Sequence, residues 1–510
     1  MTFNSHQSFY IMKKSYLYLS GIIFLVSITL SSCKKFDYYQ INPNTPTQAD
    51  PSLELANIEQ TAFATITTEA SLATRQLVYA QSSSTTQNYG WQRADFSYKN
   101  IAQVVKMEQE AARIGKPNYK YLGKFFRSYY IVGMTLTFGD VPYAQAMQAL
   151  NNNFSDGALR PVYDAQEDIY LQVLNDLKLA SDSLSASGGT INNDIIYNGD
   201  ITQWKKAINT FSLRVLMSLS KKEANTKLNI KQRFNDIVSN PSKYPLLTSN
   251  DDNAKLTYYD IVGNRYPYNN NNSLKTDYYL DDSFVKMLKD LKDPRLFVYA
   301  TQTPNSVTAG LSPKDFNAYT GLIGSAPVAD NVQKMTTGNA SAINRRYAYD
   351  AVNEPSVAIG YPELQFILAE AVARGWITGD INKFYTGGIR SAMLFSRYKG
   401  DLAYTLDDIE TYLKQPAVTL QSGTLLPQVI MQRYINTFMN TGWQSFYEQR
   451  RTGFPTFETA GAGILNGGKI PKRWMYPTAE LNNNGVNVDN AIKRQYPGGD
   501  DINGVMWLLQ

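Results

Sequence analysis

The 510-residue chain carries 49 Lys and Arg against 44 Asp and Glu, a formal charge of +5, with 18% of residues charged and 43% hydrophobic. Such a balance suits a folded protein with a large core, and a charge this near neutral and this evenly spread argues against a nucleic-acid partner. The one histidine, His6, and the one cysteine, Cys33, stand near the N-terminus. Beyond them no Ser-His-Asp triad, Cys-His pair, HExxH zinc site or internal disulfide can form, which favours binding over catalysis.

In chain order, Met12 opens a secretion-signal pattern. Lys13 and Lys14 form a basic region, and Tyr16 to Leu30 is uncharged and mostly apolar. That stretch is shorter than the roughly 20 residues that span a bilayer. Leu30-Ser31-Ser32-Cys33 follows and resembles the bacterial lipobox, whose cysteine thiol receives a diacylglycerol. Residues 1–32 are thus expected to be removed, with Met1 to Ile11 an extension ahead of a true start at Met12. Cys33 then becomes the lipidated first residue, and loss of the two lysines takes the charge from +5 to +3. Phe36 to Pro51 reads as an extended leader, interrupted by Pro43, Pro46 and Pro51.

Apolar spacing predicts helices over Ser52–Tyr79, Tyr98–Ile114, Asn118–Phe138, Pro161–Leu184 and Gln203–Lys222. In the fourth, Asp168 and Asp176 are expected to face outward. Gly139-Asp140-Val141-Pro142 should end the third sharply, with Asp140 capping the turn. From about residue 240 to 345 the chain is rich in Asn, Asp, Tyr, Gly and Pro, includes the run Asn269–Asn272, and predicts an irregular, loop-rich lobe. Helix returns at Phe366–Arg374, Thr386–Arg397, Leu426–Asn440 and Trp443–Arg451. The fold class is therefore mostly α. It is read as a helical-repeat scaffold, about 52–239 and 346–510, too irregular for a strict 34-residue repeat and bearing the lobe within one 33–510 domain.

Several blocks resemble the SusD/RagB family of outer-membrane lipoproteins. They are the lipobox, Gly139-Asp140-Val141-Pro142-Tyr143, the helix RPVYDAQEDIYLQVLNDL from Arg160 to Leu177, and Ile367 to Gly375. The most specific is Gly442 to Pro455, GWQSFYEQRRTGFP, and Ile470 to Asn483, IPKRWMYPTAELNN, completes the set. Their order covers essentially all of the chain after Cys33. Only the ending, Asp500 to Gln510, departs from the basic residue and tryptophan pair that the resemblance leads one to expect. The resemblance implies the tetratricopeptide-like scaffold and a lipid-anchored, cell-surface lid over a SusC-like TonB-dependent transporter. It also implies capture of oligosaccharide, or in some members peptide, without turnover, in a Bacteroidota-type host.

The recognised blocks read as architectural, with Trp443, Phe446, Tyr447, Arg450 and Arg451 packing a short helix and the arginines pairing with Glu448, Glu370 or Glu480. A saccharide needs exposed aromatic faces beside amide, carboxylate or guanidinium groups. Asn88, Tyr89, Trp91 and Arg93 offer these in one loop, with Trp91 the leading contact. Tyr266, Tyr268, Tyr278 and Tyr279 are weaker candidates. Asn250–Asn253 and Asp500, Asp501 and Asn503 are oxygen-rich but lack calcium-loop spacing, so no metal ligand and no cofactor is assigned. No local feature nominates a catalytic carboxylate pair. Peptide capture, or a structural surface lipoprotein without a small ligand, remain the alternatives.

Overall fold

The computed structural model describes residues 48–151, 154–397 and 404–510; Cys33, the signal expected over 1–32 and most of the expected leader lie outside them. Local chemistry sets most helix boundaries. Helices α1 (Pro51–Phe63), α2 (Tyr98–Arg113) and α3 (Pro117–Phe138) come first, α3 with proline in its first turn, where no N–H is missed. Gly139, at φ 90°, stops α3. A Cβ there would lie 2.3 Å from Gln495 Oε1, so only glycine lets this turn meet the C-terminal region.

Next comes α4 (Gln166–Ser183), which starts at Gln166 rather than Pro161. Its own flanking residue, Ala165, has no capping side chain. Asp140 reaches across from the glycine turn instead and accepts the Gln166 N–H at 2.8 Å. Asp200 caps α5 (Ile201–Ser218) through the Thr202 and Gln203 N–H groups. Helix α6 (Ile230–Ser239) completes this half. Successive members of α1 to α6 pack on one another, and their apolar faces share one core with α9 (Tyr361–Ala373) and the C-terminal residues.

Two residue-level expectations change. Asp176 is buried, not outward: its carboxylate accepts the Tyr143 hydroxyl at 2.7 Å and pairs with Lys124 at 3.1 Å. The helix expected over 52–79 is interrupted after Phe63. Thr65 donates its N–H to Ser356 Oγ at 2.7 Å, tying the chain to a distant strand. A short helix (Thr68–Ala73) follows, and Leu77–Tyr79 becomes strand β1.

Two antiparallel ribbons stitch the middle of the chain to its flanks. β1 pairs with β3 (Tyr278–Leu280), and β2 (Ala254–Leu256) pairs with β4 (Ser356–Ile359). Between 240 and 345 only α7 (Asp282–Asp290) and α8 (Val328–Thr336) reach nine residues. A second core joins this stretch to α10 (Ile381–Ser396), α11 (Leu406–Leu413) and α12 (Leu425–Asn436). Helices α13 (Gln444–Thr452) and α14 (Gly485–Gln495) close the chain. Helices α6, α7, α8, α11 and α14 have no counterpart in the sequence reading. The protein is mostly α-helical, as that reading expected. No described helix is long and apolar enough to cross a membrane.

Candidate functional site: an aromatic groove

The loop after β1 holds Trp91, and the fold buries it. Its ring is 7% exposed and stacks on Trp474, centroids 4.8 Å apart and planes 12° from parallel. Its indole N–H donates to the Arg473 carbonyl at 3.1 Å. Phe446 and Trp443 meet the same ring edge-on at 5.4 and 6.0 Å. Tyr89 closes the far side, its hydroxyl donating to the Ala73 carbonyl at 3.0 Å and its ring covered by Arg75. Three of the six tryptophans thus converge on one box.

That box has an open side. A groove of about 370 Å³ runs between the C-terminal half of α3, the 94–97 loop, the start of α13 and Trp474. Tyr129, Trp443, Tyr447 and Trp474 are half-buried and line it, with Asp95, Ser97 and Thr137 as polar neighbours. Trp443 stands perpendicular to Trp474 at 4.8 Å, so the two indoles form a corner. Tyr447 is held by a 3.1 Å hydrogen bond between its hydroxyl and Thr137 Oγ1. Behind it, Arg450 lies 4.7 Å from the Tyr447 ring centroid. Its guanidinium donates to the carbonyls of Leu136, at 2.7 Å, and Lys472. Among the described residues no carboxylate pairs with it, and burial lowers its pKa to about 10, still far above neutrality. Arg450 therefore clamps α3 to the Lys472–Trp474 segment as a permanent cation.

The remaining candidates are dispersed. Arg93 is exposed and anchors the backbone, donating to the Tyr476 carbonyl at 2.5 Å and to Asp500 at 2.6 Å. Asn88 is buried, its amide donating to Ser83 at 3.0 Å. Tyr266 is buried edge-on to Tyr258. Tyr268 is half-buried and accepts the Thr68 N–H at 2.9 Å, while Tyr278 packs on Tyr79 across the β1–β3 ribbon and Tyr279 lies half-buried beside it. None of these four lines the groove. Asn88, Tyr89, Trp91 and Tyr266 therefore lack the exposed surface expected of them: residues far along the chain cover Trp91, and Arg75 covers Tyr89. Sequence reasoning read Trp443 and Tyr447 as packing residues of a short helix and singled out neither Trp474 nor Tyr129 as a contact. The available signal was the placement of Trp443 and Trp474 in two separate recognised blocks. Among the described residues, no group of three or more His, Cys, Asp or Glu could hold a metal ion.

Comparison with known proteins agrees with this architecture. A family model, SusD-like, described as "Starch-binding associating with outer membrane", matches residues 39–477. An outer-membrane protein of Bacteroides vulgatus ATCC 8482 linked to nutrient binding is 37% identical, with TM-score 0.84. Two SusD homologues of Bacteroides fragilis NCTC 9343 are 40% and 30% identical, with TM-scores of 0.83 and 0.84. Each alignment covers 91% of this chain and 100% of the relative. No curated protein matches. The chain belongs to the SusD/RagB-like family of outer-membrane nutrient-binding proteins.

Proposed function

We propose that the protein captures an oligosaccharide in the aromatic groove and delivers it to a SusC-like TonB-dependent transporter. It does so at the cell surface, anchored through a lipid on Cys33. The observation that carries this reading is the partly exposed corner of Trp443 and Trp474, flanked by Tyr129 and Tyr447. Sugar rings present C–H faces that lie on indole and phenol surfaces, and their hydroxyls need partners of the kind that Asp95 and Ser97 offer. In this reading Trp91 backs Trp474 and holds its plane, without meeting the ligand. The antiparallel pairs α2–α3, α4–α5 and α9–α10 act as tetratricopeptide-like units of the scaffold that supports the groove.

The test is a panel of glycans and peptides offered to the protein and to its Trp474→Ala and Trp443→Ala variants. Binding to one polysaccharide class that either substitution abolishes supports the reading. Binding that survives both would move the site, with Tyr268, Tyr278 and Tyr279 next in line. Peptide binding alone would replace the ligand class, and silence across the panel would favour a purely structural lipoprotein.

A further inference from the structure

A second cleft, of about 490 Å³, opens among α4, α5 and α6 and shares no lining residue with the aromatic groove. Its size falls within the range of small-ligand sites. Leu174, Leu216 and Ile237 supply apolar surface, and Tyr244 forms part of the wall. Three cations line it, Lys178, Lys227 and Arg233, against one carboxylate, Asp236.

The three cations are not equivalent. Lys178 pairs with Asp182, and Lys227 pairs with Asp168 and, at 3.6 Å, Glu167. Arg233 forms no ion pair among the described residues. Its one side-chain hydrogen bond runs from Nη2 to Asn175 Oδ1 at 3.0 Å, which orients the guanidinium and leaves most of its donors unused. Burial disfavours its charge, though a guanidinium stays ionised at any ordinary pH. The protein thus holds a partly desolvated cation whose nearby counter-charge, Asp236, makes no ion pair with it and instead accepts the Gln232 amide at 2.6 Å. Around it stand groups suited to hydroxyls. The Asn175 amide keeps its own donors. Asn209 is buried, and its nitrogen is committed to the Pro245 carbonyl at 3.0 Å, so its oxygen remains to accept.

We propose that this cleft is a second binding site, for a short saccharide that carries a carboxylate, with Arg233 receiving the carboxylate and Asn175 and Asn209 the hydroxyls. A planar, forked guanidinium matches a carboxylate in a two-bond arrangement that lysine does not reproduce. The site is independent of the groove, so the protein would hold acidic and neutral sugar units in different places.

The experiment is calorimetric titration of the protein at low salt with galacturonate and glucuronate, and with the neutral methyl ester of each. The expected result is binding of at least one free acid, with its ester weaker by roughly tenfold or more, as loss of a charged hydrogen-bonded pair implies. Arg233→Gln, checked for an unchanged melting temperature, should weaken the acid by a similar factor and leave the ester unaffected. Trp474→Ala should change neither. Equal binding of acid and ester, no binding of either acid at millimolar concentration, or loss of binding in Trp474→Ala but not in Arg233→Gln would each overturn the proposal. The ester comparison stands even if Arg233→Gln fails to fold. Failure of the aromatic-groove reading would show instead in the Trp443 and Trp474 variants.

Discussion

Helix α13 separates two interiors built on opposite principles. One face contributes Phe446, Tyr447 and Arg450 to the aromatic box and groove, where rings pack on rings and the cations Arg75 and Arg450 lie over phenols. The other contributes Glu448 and Arg451 to a run of buried ion pairs. That run passes from Arg214 to Glu363 (2.8 Å), Arg433 (2.8 Å), Glu448 (3.0 Å) and Arg451, then to Glu370 (2.7 Å) and Arg374 (2.8 Å). The adjacent residues Arg450 and Arg451 are both buried, yet one is satisfied by carbonyls and rings and the other by two carboxylates. The contrast shows how tolerance should differ. An aromatic contact that is lost can be partly refilled by repacking, whereas a buried charge left without its partner cannot.

The largest effect should come from breaking the charged run at a carboxylate that holds two buried arginines. Glu363→Ala strands Arg214 and Arg433 and should cost about 3–5 kcal/mol of unfolding free energy, read by denaturant melts. Trp91→Ala should cost about 3 kcal/mol. Because it removes the backing of Trp474, it should also weaken saccharide binding, and Trp91→Phe should restore part of both. A loss of stability with full affinity would mean that the box does not shape the groove.

Acidity sharpens the comparison further. Burial opposes ionisation of Glu370, but Arg451 and Arg374 outweigh it and bring its pKa down to about 2; Arg214 and Arg433 likewise hold Glu363 below its ordinary value. A lowered carboxyl adds stability that is complete above the unfolded value, about 4.3, and is lost as pH falls through the folded one. Glu59, in α1, is the opposite case. Burial, and then the neighbouring Asp194 carboxylate, raise its pKa well above the usual range. Its contribution is complete below the unfolded value and disappears as pH rises through the folded one. The melting temperature should therefore fall on both sides, and Glu59→Gln should flatten only the alkaline side. An unchanged alkaline limb in that variant would show that Glu59 is not the group responsible.

The smallest effect is expected at Arg390–Glu410, a pair joined by two hydrogen bonds of 2.8 and 2.9 Å but roughly half exposed. Glu410→Ala should change stability by less than about 1 kcal/mol, because water screens what the interior does not. A loss as large as that of Glu363→Ala would remove burial as the explanation.

Much of this was legible from residue order alone. The periodicities of α2 and α3 place their helices within a residue or two, and α5 is found with looser ends. The glycine and proline of the 139–142 turn mark where α3 must stop, since these are local backbone and side-chain effects. The GWQSFYEQRRTGFP block carries the family. The expected pairing of Arg451 with Glu448 and Glu370 also appears in the fold. What periodicity does not encode is which side of an aromatic ring stays uncovered. Trp91 was the natural candidate for an exposed platform because it sits in a polar loop. The segment that covers it lies 382 residues away. Asp176 shows the same dependence, since its place in a helical pattern looks outward until Tyr143 and Lys124 arrive from the α3–α4 region. Local order alone set helices α2, α3 and α5, the turn and the family. Tertiary structure decided which aromatics and charges face solvent, because exposure is set by every segment that packs nearby and not by the residue's neighbours in the chain.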